Sequence, residues 1–138
     1  MSGKKTSRNW ISRVLLDTHV LIWLHREPGR IGKQARRAIE NAATVYYSPL
    51  SLFEFMQKDD EQASKTKVLA AASLTAGLIE LTLDTNQVME SSRFGSLKNT
   101  DPFDRLLISQ ASNEGMDFYT ADSRLLRLGF PMMKDATV

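Results

Sequence analysis

Cysteine is absent from this chain of 138 residues, and only two histidines occur. Without cysteine the chain can form no disulfide, thiol nucleophile or thiolate metal site. Two histidines are also too few for a multi-histidine zinc centre. Any metal site in this protein must therefore be built mainly from oxygen ligands.

Long hydrophobic runs are absent as well. No stretch approaches the roughly 20 apolar residues that span a bilayer, because the best candidate is interrupted by Asp17 and His19. Residues 1–13 are basic and lack the apolar stretch of a signal peptide. We therefore expect a soluble cytoplasmic protein with a flexible basic extension over residues 1–13, followed by one domain.

The formal net charge is small, at +2, but the sequence pI is about 9.0. Basic residues are concentrated in two stretches, residues 4–13 and 26–37. Such stretches favour a polyanionic partner, although a solvated surface is their more common role. The charge pattern alone leaves both interpretations open.

Short β-rich runs alternate with helical patterns along the chain. The apolar run Val14, Leu15, Leu16 fits a strand buried on both faces, and a helical spacing of apolar residues follows it. This alternation predicts an α/β domain with a mostly parallel sheet. The other expected strands are 44–47, 79–83, 118–120 and 129–133, and the other expected helices are 31–42, one from about 51, 67–78, 84–93, 105–114 and 122–128, with a loop at 94–100.

Four acidic residues share one local setting, at or just inside the start of a predicted helix. They are Asp17, Glu54, Asp104 and Asp122. If the strands are parallel, these junctions lie along one edge of the sheet, where ligand sites form in open α/β folds. Carboxylates brought together repel one another unless cations lie between them, so the cluster predicts a Mg²⁺ or Mn²⁺ site. Such a site suits phosphodiester hydrolysis.

Most of these acids also have a purely structural interpretation. Glu54 could complete a capping box with Ser51. Asp101 could cap the next helix, in which Asp104 would interact favourably with the helix dipole. Asp122 could cap the short helix that follows it. These structural interpretations and the metal-site hypothesis both remain open for each residue.

Asp17 is harder to explain by capping, because Thr18 could cap the same helix. Thr120 could position a metal-bound water or Asp122 through its hydroxyl, or it could cap the following turn. We therefore keep Thr120 as a possible supporting residue.

Three further residues are candidates for lesser roles. Lys58 lies one turn after Glu54, so it could reach a substrate phosphate or form an ordinary ion pair. Arg105 is expected to pair with a nearby acid. His19, two residues beyond Asp17, could act as a general base, but a helix-surface histidine is the simpler interpretation.

Four segments together resemble the PIN-domain ribonucleases, and above all the VapC-type toxins of bacterial toxin-antitoxin operons. They follow the family's order and span most of the chain from Val14 to Met133. The segments are LLDTHVLIW at 15–23, SPLSLFE at 48–54, DPFDRLLISQA at 101–111 and TAD at 120–122.

The resemblance implies an α/β/α fold with a mostly parallel central sheet over residues 14–138. It also implies Mg²⁺- or Mn²⁺-dependent cleavage of RNA, a homodimer, and a small antitoxin that blocks the active site. The metal pocket would be built by Asp17, Glu54, Asp104 and Asp122, with Asp101 nearby. Two positions depart from many relatives, which have histidine where Asn99 stands and alanine where Ser109 stands.

Two other functions compete with a ribonuclease. In the first, the acids only cap helices and the domain is a non-catalytic module that binds RNA or a protein. In the second, Asp17 is the nucleophile of an aspartyl-phosphate phosphatase. That chemistry usually needs a second acid two residues later, where this chain has His19.

Overall fold

The centre of the fold is a strand that contains the apolar run 14–16. The computed structural model describes residues 9–57, 62–97 and 99–138. Val14, Leu15 and Leu16 are 1%, 0% and 0% exposed. Leu15 packs into one hydrophobic cluster, whereas Val14 and Leu16 pack into another. Because successive side chains of a strand point to opposite faces, this strand is buried on both sides, as predicted.

Five strands form one sheet in the described part of the chain. They are β1 (Asn9–Leu16), β2 (Ala42–Tyr47), β3 (Ile79–Glu80), β4 (Asp117–Thr120) and β5 (Met133–Asp135). The order across the sheet is β3-β2-β1-β4-β5, and each of these pairings is parallel. The predicted α/β class and parallel sheet are confirmed.

Helices cover both faces of this sheet. They are α1 (Thr18–Arg26), α2 (Lys33–Asn41), α3 (Pro49–Met56), α4 (Gln62–Thr75), α5 (Thr85–Glu90), α6 (Pro102–Glu114) and α7 (Ser123–Leu126). Residues of α1 to α4 share a cluster with Val14 and Leu16, and residues of α6 and α7 share the other with Leu15. The architecture is therefore an α/β/α sandwich. Among the helices described, none has the length and apolar character to cross a membrane.

Some predicted boundaries were wrong. β3 covers Ile79–Glu80 rather than 79–83. The expected loop at 94–100 is largely replaced by a 3-10 helix over Ser91–Leu97. This segment is ordered by packing, because Phe94 and Leu97 are buried in the cluster on the α6 side of the sheet. Long-range packing of this kind has no local sequence signature.

The first strand extends into the stretch that we assigned to a basic extension. β1 begins at Asn9, and Asn9 pairs with Ala42 of β2. Residues 9–13 are therefore part of the sheet. Residues 1–8 lie outside the described residues, so the basic extension stays a prediction for them.

The last residues of the chain pack against the start of α2. Gly32 N–H donates to the carbonyl oxygen of Ala136 at 2.9 Å, and Ala35 N–H donates to that of Val138 at 2.9 Å. A Cβ atom at Gly32 would lie 2.2 Å from the Val138 oxygen. This close approach of two backbones requires glycine at position 32.

We expect Gly32→Ala to lower the free energy of unfolding by roughly 1–3 kcal/mol, because the new methyl group must displace the Val138 backbone. Gly29→Ala is the matched control, since a Cβ there has no atom within 4 Å. Urea unfolding would measure both variants. Equal stability of the two would contradict the packing of Val138 on α2.

Candidate active site

The candidate site lies where the order of the strands reverses. Strands β2 and β3 lie on one side of β1, and β4 and β5 lie on the other. The connections after β1 and β4 therefore diverge and leave a crevice at the carboxyl ends of these strands, which is where ligands bind in open α/β sheets. Leu16 pairs in register with Tyr119. This register places Asp17 beside Thr120.

Asp17 is a buried carboxylate, 5% exposed, held by two hydrogen bonds. Its Oδ2 accepts from Thr120 Oγ1 at 2.6 Å, and its Oδ1 accepts from Thr18 N–H at 2.7 Å. Burial raises the pKa of Asp17, whereas these two hydrogen bonds act to lower it. Asp17 is also the N-cap of α1. Our expectation that capping would not explain Asp17 was therefore wrong, since the residue caps α1 and also faces the crevice.

Glu54 reaches the same crevice from α3. The N-cap of α3 is Ser48, so the predicted capping box between Ser51 and Glu54 was wrong. Instead, Glu54 Oε1 accepts a hydrogen bond from Thr18 Oγ1 at 2.6 Å, and Thr18 Oγ1 lies 3.0 Å from Ser51 Oγ. Thr18 thus contacts both acids, Asp17 through its backbone N–H and Glu54 through its hydroxyl.

Asp104 lies in the first turn of α6 and faces the same crevice. Asp101 is the N-cap of α6 and accepts a hydrogen bond from Phe103 N–H at 2.9 Å, as the structural interpretation predicted. The rings of Phe53 and Phe103 pack with centroids 5.6 Å apart. Phe53 directly precedes Glu54 on α3, and Phe103 directly precedes Asp104 on α6. The ring contact therefore holds the two helices that carry these acids together.

Asp122 has both a capping and an ion-pair role. It is the N-cap of α7, and its Oδ1 accepts from Arg124 N–H at 2.8 Å. Arg124 Nη2 lies 3.0 Å from Asp122 Oδ2. Hydrogen bonding from the Arg124 side chain lowers the pKa of Asp122. Thr120 Oγ1 also accepts from Asp122 N–H at 3.1 Å, so this threonine orients the Asp17 carboxylate and caps the turn before α7.

The four predicted acids line one cavity of about 460 Å³, and Asp101 lines it with them. Burial and repulsion from Asp17, Asp101, Glu54 and Asp122, in that order, raise the pKa of Asp104 to about 7. Among the described residues that line the cavity there are five carboxylates and two arginines, so negative charge is in excess. Sequence reasoning was right to bring these residues to one edge of the sheet.

The donor set of this cavity fits a hard divalent cation. Its acidic walls offer carboxylate oxygens, and Mg²⁺ usually takes one or two protein carboxylates while keeping several waters. In the described residues, no group of three or more acidic or histidine side chains is gathered closely enough to enclose a metal ion. The acids thus form an open pocket rather than a closed cage, and their role as metal ligands stays a prediction.

The predicted roles of Lys58 and Arg105 have different outcomes. Lys58 lies outside the described residues, so its predicted role stays a prediction. Arg105 forms no ion pair with an acid among the described residues. Its Nε and Nη2 both donate to the carbonyl oxygen of Ser91, at 3.1 and 2.7 Å. Ser109, which departs from the family pattern, donates to the carbonyl oxygen of Arg105 at 2.7 Å and so fits inside α6.

Sequence reasoning missed three side chains that also line the cavity: Trp23, Arg30 and Arg124. Arg124 follows Asp122 by two residues, and Arg30 belongs to the basic stretch 26–37, so both had a weak local signal. Trp23 has only the pattern of a core residue, an apolar ring at helical spacing after Asp17. It is 9% exposed and reaches the cavity from α1. His19 lines the cavity as an exposed residue of α1.

Comparison with protein families identifies this fold. The family model for the PIN domain matches residues 14–131, which is most of the chain. The chain belongs to the PIN-domain family. This PIN domain is 30% identical to Ribonuclease VapC22 of Mycobacterium tuberculosis over an alignment of 123 residues that covers 83% of this chain and 91% of that protein. The resemblance to VapC-type PIN domains is therefore confirmed.

Solved structures show the same PIN fold. VapBC2 from Rickettsia felis, bound to a DNA fragment from its promoter, matches with a TM-score of 0.68 and 14% identity, covering 89% of this chain and 98% of that one. DNA-bound VapBC from Salmonella typhimurium matches with a TM-score of 0.68 and 17% identity, covering 91% and 98%. At these identities the likeness establishes the fold.

The raised pKa of Asp104 makes the stability of the metal-free PIN domain depend on pH. The folded state holds the proton of the Asp104 carboxyl more tightly than the unfolded state does. Ionisation of Asp104 therefore lowers the free energy of unfolding as pH rises from about 3.8 to about 7. Asp104→Asn should therefore raise the free energy of unfolding at pH 8 by about 1–2 kcal/mol, a figure reduced because solvent screens this half-buried group.

The gain should shrink towards zero near pH 4, where the native carboxyl is protonated in the folded protein. Thermal unfolding in EDTA across this pH range would measure it. A constant difference between the two proteins at all pH values would contradict carboxylate crowding in the cavity.

Proposed function

We propose that this PIN domain is a Mg²⁺- or Mn²⁺-dependent endoribonuclease that acts as the toxin of a type II toxin-antitoxin pair. The observation that carries the proposal is the convergence of Asp17, Glu54, Asp104 and Asp122 on one cavity at the switch point of the sheet. The name of its relative, Ribonuclease VapC22, supports RNA as the substrate.

The four acids would hold the divalent ion, directly or through its waters. Asp17 and Asp104 are the acids whose pKa values are raised, so their charges gain most from a cation. Asp122 already has Arg124 as a partner, which suits it to a more distant role. When bound, the ion would supply activation of a water and neutralise the charge that develops on the phosphodiester.

The residues around the acids act by positioning them. Thr120 and Thr18 N–H each bond a different oxygen of Asp17, so both oxygens of that carboxylate are fixed. The Thr18 hydroxyl fixes Glu54 in the same way. A catalytic carboxylate that is held in one orientation needs little rearrangement when substrate arrives, which favours catalysis.

An antitoxin and a second copy of the chain are the proposed protein partners. The similar solved structures are of VapBC proteins bound to DNA, which supports a small antitoxin. Large apolar side chains are exposed on α3 and α4, two helices in contact: Phe53 is 50% exposed, Met56 41%, Val68 67% and Leu74 58%. Exposed apolar residues often take part in protein interfaces, so these helices favour a homodimer or antitoxin contact.

The central test is RNA cleavage by variants of two acids. The purified protein should cleave single-stranded RNA in the presence of Mn²⁺ or Mg²⁺, and EDTA should stop this cleavage. Asp17→Asn and Asp104→Asn should each slow cleavage by at least about 100-fold, because each removes a carboxylate that would hold the divalent ion, and the ion would neutralise the charge that develops on the phosphodiester. Asp117→Asn is the control, since this acid lies at the opposite end of β4 from the cavity.

Circular dichroism would show whether each variant is folded. Folded Asp17→Asn and Asp104→Asn variants that cleave at the unmutated rate would contradict the proposed site. If the unmutated protein neither cleaves RNA nor binds Mn²⁺ in isothermal titration, the acids are structural caps and the domain is a non-catalytic module.

A further inference from the structure

A strip of basic side chains continues from the rim of the acidic cavity onto α2. We define the basic strip as Arg30, Lys33, Arg36 and Arg37. Arg30 lines the acidic cavity. Its two sequence neighbours, Gly29 and Ile31, line a second concavity of about 370 Å³ together with the other three members of the strip. Consecutive residues of the segment 29–31 therefore line the two concavities in turn.

Arg30 is held at this junction by an aromatic ring. Its guanidinium carbon lies 4.3 Å from the ring centroid of Trp23, close enough for a cation-π contact. Its nearest acidic partner is Glu27, whose Oε2 lies 3.6 Å from Arg30 Nη1. Both of these side chains are more than half exposed, so the ion pair is weak and a phosphate could replace the carboxylate.

The rest of the strip carries positive charge that the described residues do not neutralise. Lys33 and Arg37 are exposed, and no carboxylate of the described chain lies within ion-pair distance of either. Arg36 Nη2 donates to the carbonyl oxygen of Pro28, which fixes this guanidinium over the 3-10 turn at 28–30. Among the described residues that line this concavity, Glu40 is the one acid.

Helix stability does not explain this placement of charge. Helix α2 begins at Lys33 and has no acidic residue in its first turn. Cations near the start of a helix oppose the helix dipole, which favours acids there. Residues that oppose a local stabilising effect, such as the helix dipole, are expected mainly at functional surfaces.

We propose that the basic strip binds the sugar-phosphate backbone of the single-stranded RNA that enters the acidic cavity. This inference rests on the proposed function. The acids of the cavity repel phosphates, so the nucleotides beside the cleaved bond need cations elsewhere to hold them. Arg30 meets the phosphate nearest the cavity, and Lys33, Arg36 and Arg37 meet those that follow. Guanidinium groups match phosphate geometry through paired hydrogen bonds.

The test is the salt dependence of RNA binding. A fluorescent single-stranded RNA oligonucleotide is titrated with the full chain in EDTA, which prevents metal-dependent cleavage, at several salt concentrations. At low salt, the Lys33→Gln/Arg37→Gln double variant should bind RNA at least about 10-fold more weakly than the unmutated protein. The slope of its log affinity against log salt should be shallower by about 0.7 for each phosphate that is no longer neutralised. Arg30→Gln should lower the slope by about 0.7, the value for a single phosphate.

Lys65→Gln/Lys67→Gln is the matched control. It removes the same charge from exposed positions of α4, and neither lysine lines the two concavities. Its slope should equal that of the unmutated protein. A fall in slope as large as that of the strip variant would show an effect of net charge alone and overturn the proposal, as would an unmutated protein that binds no RNA.

A second titration, with polyglutamate in place of RNA, separates nucleic acid from protein as the partner. If the Lys33→Gln/Arg37→Gln variant lost polyglutamate binding while its RNA binding stayed unchanged, the strip would be a docking surface for an acidic protein. That result would overturn the proposal. Cleavage is scored separately. RNA binding through the strip without cleavage in Mn²⁺ would refute the proposed ribonuclease and still support the strip.

In steady-state cleavage, Arg30→Gln should raise KM several-fold and leave kcat almost unchanged, because Arg30 holds the strand beside the cleaved bond rather than the bond itself. A lower kcat at unchanged KM would place Arg30 in the reaction instead and overturn its assignment to the strip.

Discussion

Repulsion between carboxylates at the carboxyl ends of β1 and β4 is the constraint on which the site depends. The parallel register of these strands brings Asp17 next to Thr120, and α3 and α6 then add Glu54 and Asp104. Burial, and then repulsion from the neighbouring carboxylates, raise the cost of ionising Asp104, which is why its pKa rises to about 7. A divalent cation would neutralise this excess negative charge, whereas an incoming polyanion would be repelled by it and would need cationic contacts outside the cavity.

An acid that caps a helix can also face the cavity in this protein. Asp17, Asp101 and Asp122 are each the N-cap of a helix, and each also lines the cavity. A capping carboxylate bonds through one face to backbone N–H groups and leaves its remaining lone pairs available to a ligand. The positive ends of the helix dipoles also offset part of the repulsion. The structural and functional interpretations of these acids are thus complementary.

Sequence patterns predicted the fold class and the acids because both depend on local signals. A buried apolar run followed by an acid and a helical spacing is visible around Asp17 without any tertiary information. The errors arose where local chemistry offered a choice. Ser51 was expected to form the capping box with Glu54, but the helix begins at Pro49, a residue favoured in the first turn, and Ser48 is its N-cap. The contacts of Thr18 with Glu54, Arg105 with Ser91 and Arg30 with Trp23 depend on packing between distant or unaligned segments, which no local pattern reveals.

The most direct test of the account is to locate Mn²⁺ in crystals of this protein by anomalous scattering. The account predicts a peak inside the acidic cavity, within coordination distance of Asp17 or Asp104, that disappears in Asp104→Asn crystals or loses most of its occupancy. A cavity without a peak at millimolar Mn²⁺, or a peak that persists unchanged in that variant, would contradict the claim that carboxylate crowding creates a divalent metal site.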